Sequence, residues 1–261
     1  MRFRGTVVLG LGWLVVLVGC TGPMSPEGRK FLEAGHRAYV GGDDKQAIES
    51  TSRCLLLHPR VEEAGEAYYI RGLARCRSGE RASGEADLLA ALGVAKRKDL
   101  LALASTKLGN LAYRLNNMKE AEARYRAALA QGAPDAPPAD QAMFRLGCLL
   151  QRQGRWGEAD VQFDRLIYYF DDSELARLAK QRVRAQRWSI QAAAVIHGSA
   201  AADFQSRLRR AGLTARVDLE LRDGRMVRLV RVGSYSTRAE ALADLKRVRT
   251  ICGDAFATPA R

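Results

Sequence analysis

A repeat of about 37 residues runs through the middle of this chain and limits its possible folds more than any other feature. Each unit carries a marker glycine, namely Gly35, Gly72, Gly109 or Gly147. Twelve positions after the marker stand Ala47, Gly84, Ala121 and Ala159, and sixteen positions after it stand Thr51, Leu88, Tyr125 and Phe163. Small residues at this spacing let two helices approach closely, so each unit predicts a helical hairpin. The hairpins must stack, because no single unit can bury its own apolar face.

The repeat resembles the tetratricopeptide repeat (TPR), most clearly in KLGNLAYRLNNMKEAEARYRAAL and RLGCLLQRQGRWGEADVQFDRLI. The match is partial. The positions where the family prefers tryptophan hold Phe31, Tyr68, Ser105 and Met143, and only Pro59 matches its closing proline. The resemblance implies an all-α TPR solenoid over residues 28–187, with units at 28–60, 65–97, 102–132 and 140–171. A capping helix is expected at 172–187, with Asp172 as its N-cap.

The TPR resemblance also implies a concave groove, lined by the first helix of each unit, that holds a protein partner. Arginines repeat at equivalent positions of three units, and arginine forks match carboxylates in a bidentate manner. The groove is therefore predicted to favour an acidic peptide segment, although a solvated charged face explains the same pattern. The candidate groove residues are Tyr39, Arg77, Asn110, Tyr113, Arg114, Gln151 and Arg152.

The pattern changes at Trp188, where short alternating segments replace the long repeat. Residues 215–221 alternate apolar and polar side chains, and Asp223-Gly224 is a strong signal for a two-residue hairpin turn. The predicted element order is β-α-β-β-α-β, a ferredoxin-like split βαβ arrangement with helices on one sheet face and the other face open. The turn should pair Arg222 with Arg225 and set Arg216 opposite Arg231 on the open face. The opposite face, toward the core, should hold Ala215, Val217, Leu219, Leu221, Met226, Val230 and Val232.

Two stretches of this region, Trp188-Ser-Ile-Gln-Ala and Arg231-Val-Gly-Ser-Tyr-Ser-Thr-Arg-Ala-Glu-Ala241, resemble the signatures of the SPOR domain. The resemblance implies a small α+β domain at 188–261 that binds peptidoglycan, by preference glycan strands stripped of their stem peptides. The residues expected to bind glycan are Ser189, Gln191, Arg216, Leu229, Arg231, Gly233 and Tyr235. Amide and guanidinium groups would bind sugar hydroxyls and acetamido carbonyls, and the Tyr235 ring would cover a sugar face. The chain departs from the family pattern at Ala193, Val195 and Leu229.

The chain begins with two arginines and a 14-residue uncharged stretch from Thr6 to Gly19, too short to span a membrane and typical of a secretory signal. Leu17-Val18-Gly19-Cys20 resembles the lipobox of bacterial lipoproteins. The resemblance implies a signal peptide at 1–19, a lipidated Cys20 and a tether at 20–27. In that family a residue other than aspartate after the cysteine, here Thr21, implies the outer rather than the inner membrane. An ordinary signal peptide that contains a cysteine is the alternative.

Removal of residues 1–19 leaves 40 Lys+Arg against 29 Asp+Glu, a net charge of +11. An exported protein with this excess meets cell wall, lipid headgroups and acidic partner segments, so nucleic acid is not expected as a partner. Four further cysteines, Cys54, Cys76, Cys148 and Cys252, show no CxxC or metal-ligand spacing and are expected as buried free thiols, with disulfides left open. The chain has no HExxH, GxSxG or phosphate-binding loop, so no catalytic residue, metal or cofactor is predicted.

These features predict a non-enzymatic lipoprotein that faces the periplasm, binds peptidoglycan at its C-terminal end and holds envelope proteins in its repeat groove. It would link outer membrane and cell wall, including at cell-division sites where denuded glycan accumulates. The alternative is a TPR scaffold of an outer-membrane, secretion or pilus machine whose C-terminal domain binds protein.

Overall fold

Eight helices of the repeat region form four hairpins in the computed structural model, which describes residues 23–222 and 224–260. The hairpins are Pro26–Val40 (α1) with Asp44–Leu57 (α2), Ala64–Arg77 (α3) with Arg81–Val94 (α4), Lys98–Arg114 (α5) with Met118–Gln131 (α6), and Ala139–Arg152 (α7) with Trp156–Tyr169 (α8). The predicted signal peptide and Cys20 lie outside the described residues. None of the helices in the described ranges has both the length and the apolar character needed to span a bilayer.

The marker glycines lie where the two helices of a hairpin touch. A Cβ on Gly109 would come 2.7 Å from Tyr125 Cε1, and one on Gly147 would come 2.6 Å from Phe163 Cε1. Both aromatic rings stand sixteen positions after their glycine and are fully buried. The spacing in the sequence therefore reflects a side chain of the second helix that fills the space left by a missing Cβ on the first.

The turn within each hairpin uses a positive φ angle at an equivalent position. Its residues are Gly42, Gly79, Asn116 and Gly154, with φ of 88°, 95°, 61° and 78°. Asparagine tolerates this conformation better than other non-glycine residues, which explains how Asn116 replaces glycine in the third unit. Side-chain caps then begin two of the second helices, since Asp43 accepts a hydrogen bond from Gln46 N and Asn117 from Glu120 N.

A ninth helix, Glu174–Arg182 (α9), closes the repeat region and is shorter than the predicted 172–187. Its N-cap is Ser173, whose hydroxyl accepts from Ala176 N, so the expectation of Asp172 as the cap is corrected. The helix ends before Val183, because Arg184 adopts a positive φ of 66°. The Arg184 guanidinium pairs with Asp164 of α8.

The remaining elements follow the predicted order β-α-β-β-α-β. They are Arg187–Val195 (β1), Gly198–Arg210 (α10), Ala215–Arg222 (β2), Arg225–Tyr235 (β3), Arg238–Arg249 (α11) and Phe256–Ala260 (β4). The strands form one antiparallel sheet in the order β2-β3-β1-β4. Ile190, Val230 and Val232 pack with Leu208 of α10 and Val248 of α11 in the core of this domain. The predicted fold class, a helical solenoid followed by a small α+β domain, is confirmed.

The β2–β3 hairpin has the predicted register, with Arg222 opposite Arg225, although Asp223 of its turn lies outside the described residues. The burial of side chains near this turn differs from the prediction. Leu219, Leu221 and Met226 were expected in the core, yet their exposed fractions are 63%, 68% and 49%. Helices α10 and α11 cover only the part of the sheet that holds the buried Val230 and Val232, so the hairpin end carries exposed apolar side chains.

The two domains meet at a packed joint without an intervening linker. Trp188 Nε1 at the start of β1 donates a 2.7 Å hydrogen bond to the carbonyl oxygen of Gln151 in α7. The ring centroids of Trp156 and Trp188 lie 6.2 Å apart. The backbone of Gly154 approaches Ser236 so closely that a Cβ on Gly154 would lie 2.8 Å from Ser236 O. These contacts fix the orientation of the sheet relative to the last hairpin.

Candidate functional site

Three polar residues form a row across the sheet. Gln191 of β1 lies opposite Arg231 of β3, and Arg231 lies opposite Arg216 of β2. Directly opposite residues of antiparallel strands share a face, so all three side chains project from the face away from α10 and α11. The structure therefore brings these predicted glycan-binding residues together.

One carboxylate lies between the two arginines of this row. Arg231 Nε is 3.1 Å from Asp218 Oδ2, and Arg216 Nε is 3.3 Å from Asp218 Oδ1. The Arg231 side chain is only 12% exposed, and this burial lowers the pKa of its guanidinium. Within the described part of the chain, Arg231 Nη1 and Arg216 Nη2 are buried and have no hydrogen-bond partner. The pair thus holds more positive charge and more donors than Asp218 can satisfy.

The row is not on an open face, because α9 and the segment after it lie over the sheet. We call the space between them the interdomain cleft, and its shared lining residues are Gln181, Glu220, Arg231 and Pro259. It consists of two adjoining volumes of about 570 Å³ and about 480 Å³. The expected open sheet surface is therefore corrected to a cleft with the sheet as its floor and α9 as a wall.

Gln191 lies at the floor of the interdomain cleft. The residue is 7% exposed, and within residues 23–222 and 224–260 its side-chain amide makes no hydrogen bond. Its amide atoms are not among the buried side-chain atoms that lack a partner, so they are accessible from the cleft, and their donors and acceptor match the hydroxyl and acetamido groups of a sugar.

Two other predicted binding residues are fully buried. Ser189 pairs with Thr258 of β4, and Leu229 lies between Ala194 and Asp218 of the neighbouring strands. Both residues have an exposed fraction of 0%, so their side chains offer no surface to a ligand. Strand alternation placed them on the correct side of the sheet, but it could not show that neighbouring groups cover them.

Tyr235 is on the opposite face from Gln191 and Arg231, which corrects the expectation that its ring covers a sugar. Three residues of β1, from Trp188 to Ile190, oppose four residues of β3, from Val232 to Tyr235. This bulge uses a positive φ of 72° at Gly233 and reverses the alternation beyond it. The Tyr235 hydroxyl donates to Asp244 of α11 at 2.9 Å, and burial raises the pKa of Tyr235 to about 12.

No sequence pattern indicated the residues that α9 and β4 contribute to the cleft. These are Arg177, Lys180, Gln181, Arg182, Thr258 and Pro259. Their proximity depends on how the two domains are oriented. The absence of a linker before Trp188 was the one signal in the sequence that the two domains could share a site.

The predicted partner groove has most of its arginines already engaged. Arg77 stacks on Tyr39 at 4.3 Å from the ring centroid and pairs with Asp44, and Arg152 stacks on Tyr113 at 4.9 Å. Arg114 between them is exposed and forms no ion pair with any described residue. These residues do lie along one side of the stack, but Arg114 is the guanidinium best placed to meet a carboxylate of a partner.

Two other groove candidates have structural roles. Asn110 Oδ1 accepts a 2.9 Å hydrogen bond from the buried Tyr125 hydroxyl. Gln151 has an exposed fraction of 0%, and its amide donates to Arg182 O at 3.0 Å. Gln151 is therefore corrected from a groove residue to a residue of the joint between the domains.

The cysteines that lie in the described residues are free thiols. Cys54 and Cys252 are buried, whereas Cys76 and Cys148 are half-buried. Burial raises the pKa of the Cys54 thiol to about 11. No group of acidic, histidine and cysteine side chains in the described ranges could hold a metal ion.

Comparison with known families identifies the C-terminal domain. The family model of the SPOR domain matches residues 184–258. These residues form a SPOR domain. The match begins within the segment that joins α9 to β1 and includes β1, β2, β3 and β4 up to Thr258. SPOR is a peptidoglycan-binding family, so the domain type agrees with the prediction from the two signature stretches.

The helical region is similar in fold to solved structures of repeat proteins. Against pilF of Pseudomonas aeruginosa the identity is 16% over 59% of this chain and 65% of that chain, with a TM-score of 0.50. Against a tetratricopeptide repeat protein from Parabacteroides merdae it is 20% over 60% of this chain and 58% of that chain, with a TM-score of 0.49. At 16% identity the likeness to pilF concerns the fold of the helical region alone, whose four stacked hairpins are TPR-like. No curated protein matches the chain significantly.

Proposed function

We propose that this protein is a non-enzymatic envelope lipoprotein whose SPOR domain binds peptidoglycan glycan strands stripped of stem peptides. The observation that carries the proposal is the row of Gln191, Arg231 and Arg216 on the floor of the interdomain cleft. The row offers an unpartnered amide and unsatisfied guanidinium donors, which suit the hydroxyl, acetamido and carboxylate groups of such a strand.

Lipid attachment at Cys20 would place the protein on the periplasmic side of the outer membrane. Because α1 begins at Pro26, residues 20–25 would separate the anchor from the first helix by at most about 20 Å. The protein would then link membrane and cell wall, and denuded glycan at division sites would concentrate it there. The net positive charge of the chain supports retention near the acidic wall and lipid headgroups.

Binding of the cell wall is tested by cosedimentation of the chain from residue 21 with sacculi treated with an amidase. We expect retention of the wild type on treated sacculi, and about tenfold or greater loss for Gln191→Ala and Arg231→Ala, since each removes buried polar contacts. Tyr235→Phe and Arg209→Ala are controls, because Tyr235 faces α11 and Arg209 is an exposed residue of α10. Failure of the wild type to sediment with treated sacculi would contradict the proposal.

The TPR-like stack would hold a second ligand, an acidic segment of an envelope protein. Arg114 supports this role, because it is exposed and lines a separate pocket of the helical stack together with Tyr39, Cys76 and Asn110. Pulldown from envelope extracts should lose the partner for Arg114→Glu and keep it for Lys119→Glu, which reverses an exposed charge on α6. Equal recovery with both variants would remove the groove from the proposal.

The alternative function is a scaffold for an envelope machine whose SPOR domain binds protein. The exposed Leu219, Leu221 and Met226 at the end of the β2–β3 hairpin favour it, because apolar side chains on a surface suit protein contact. The sedimentation assay separates the two functions, since a SPOR domain that binds protein would not sediment with amidase-treated sacculi.

A further inference from the structure

We propose that α9 of the repeat region forms one wall of the glycan site and contacts the bound strand. We also propose that Arg182 selects strands that bear carboxylates. This inference rests on the proposed function and adds to it that the site belongs to both domains. A SPOR domain alone would present the floor of the interdomain cleft without this wall.

The geometry places α9 against the binding row. Gln181 lines both volumes of the cleft together with Arg231, and Arg182 lines the larger volume together with Gln191 and Arg231. Gln181 has an exposed side chain on the wall, whereas Gln191 is buried at the floor. A strand lying on the floor would therefore meet amide and guanidinium groups from two sides.

The wall is held in a fixed position. Gln151 of α7 donates to Arg182 O and accepts from Arg182 Nη1 at 3.3 Å. Gln186 N donates to Ala260 O of β4, so the chain after α9 joins the edge of the sheet directly. Because these bonds and the Trp188 contact connect α7, α9 and the sheet, the cleft has two rigid sides and is preorganised for a ligand.

The charges in the cleft point to an anionic ligand. Arg216 and Arg231 share the single carboxylate of Asp218. No acidic side chain among the described residues pairs with the Arg182 guanidinium, whose one hydrogen bond is to the neutral amide of Gln151. The other charged residues of the lining are paired, namely Arg177 with Glu174, Lys180 with Asp171 and Glu220 with Arg222. The positive charge that remains is thus contributed by the floor and by Arg182 on the wall.

The chemistry of the glycan supplies the matching group. The stem peptide is joined by an amide bond to the carboxyl group of the lactyl substituent. Hydrolysis of this amide leaves a free carboxylate on alternate sugars of the strand. Guanidinium–carboxylate hydrogen bonds are stronger than neutral ones, so a strand without peptides gains contacts that a neutral sugar polymer lacks. Chito-oligosaccharides keep the acetamido groups but have no lactyl carboxylate, and they therefore serve as the neutral probe.

The test compares two ligands on the chain from residue 21 by titration calorimetry. Denuded glycan oligomers are set against chito-oligosaccharides of equal length. Arg182→Gln should weaken binding of the denuded oligomer about tenfold and leave the neutral probe within about twofold, because a charge-assisted contact is lost only for the former. Arg209→Gln, on the other side of the sheet, is the matched control and should change neither affinity.

Gln181→Ala tests the wall without touching the joint. Its side chain is exposed and has no hydrogen bond within the described residues, so folding should be unaffected while both ligands weaken about two- to fivefold.

If Gln191→Ala abolishes binding while Gln181→Ala and Arg182→Gln leave it unchanged, the wall inference is overturned and the proposed function stands. If Arg182→Gln weakens both ligands equally, selection by the carboxylate is overturned. If the wild type binds neither ligand, the proposed function itself fails.

Discussion

At the scale of single residues, each marker glycine is explained by the atoms of the second helix that it faces. Gly147 leaves room for the fully buried ring of Phe163, and Gly109 does the same for Tyr125. The pairs differ in sequence between units, because Gly35 faces Thr51 and Gly72 faces the backbone of Gly84. The glycine is the constant element, since the close approach of the two helices is what every unit shares.

Gly147→Ala should therefore destabilise the fold. The new Cβ would lie 2.6 Å from Phe163 Cε1, and a core ring that must shift costs about 1–3 kcal/mol in the free energy of unfolding. Gly157→Ala in α8 is the control, because a Cβ there meets nothing within 4 Å and alanine favours a helix. Urea denaturation would contradict the packing argument if both variants changed stability in the same direction.

At the scale of elements, a network of charges joins the second helices of the last two units. Arg155 pairs with Glu158 and with Glu122 of α6, and Arg126 of α6 also reaches Glu158. These hydrogen bonds lower the pKa of Glu158 to about 2. Because the unfolded carboxyl titrates near its ordinary pKa of 4.5, the paired state stabilises the fold above that pH.

Acid should therefore remove this contribution. Stability from the Glu158 pairs is complete above pH 4.5 and is lost as the pH falls from 4.5 toward about 2, where the folded-state carboxyl is protonated. Arg155→Ala should lower stability at neutral pH and flatten the acid dependence, whereas Lys119→Ala, which removes an exposed charge from α6, should not. Urea midpoints at several pH values measure the slope, and an unchanged slope in Arg155→Ala would refute the assignment.

At the scale of the whole molecule, the order of the chain places the proposed anchor at one end and the SPOR domain at the other. The joint at Trp188 and Gln151 makes the last repeat and the sheet one packed unit. A protein anchored through its first residues would thus present the stack and then the glycan site at increasing distance along the chain.

Cys20→Ser tests the anchoring at this scale. The variant cannot form a thioether to lipid, so we expect it in the soluble fraction, with the wild type in the outer-membrane fraction and labelled by a fatty-acid analogue. Cys252→Ser is the control, because this buried thiol belongs to the SPOR domain core. Lipid labelling of Cys20→Ser would exclude the lipobox interpretation.

The agreement between sequence and structure differs among the site residues for physical reasons. Gln191 and Arg231 share a face as predicted, because alternation and the hairpin register hold up to that point of β3. Tyr235 does not, because the extra residue at the Gly233 bulge reverses the alternation. The sequence could suggest a glycine with special geometry there, but not the direction of the side chain after it.

The order of elements, the hairpin units and the register of β2 and β3 were determined by the sequence alone. Each depends on residues close in the sequence, three positions apart for Arg222 and Arg225 and sixteen for Gly147 and Phe163. The cleft, its wall of Gln181 and Arg182, and the burial of Gln151 were decided only by the tertiary structure. They depend on how two domains pack through contacts such as Trp188 with Gln151, and no local periodicity encodes the relative orientation of separate domains.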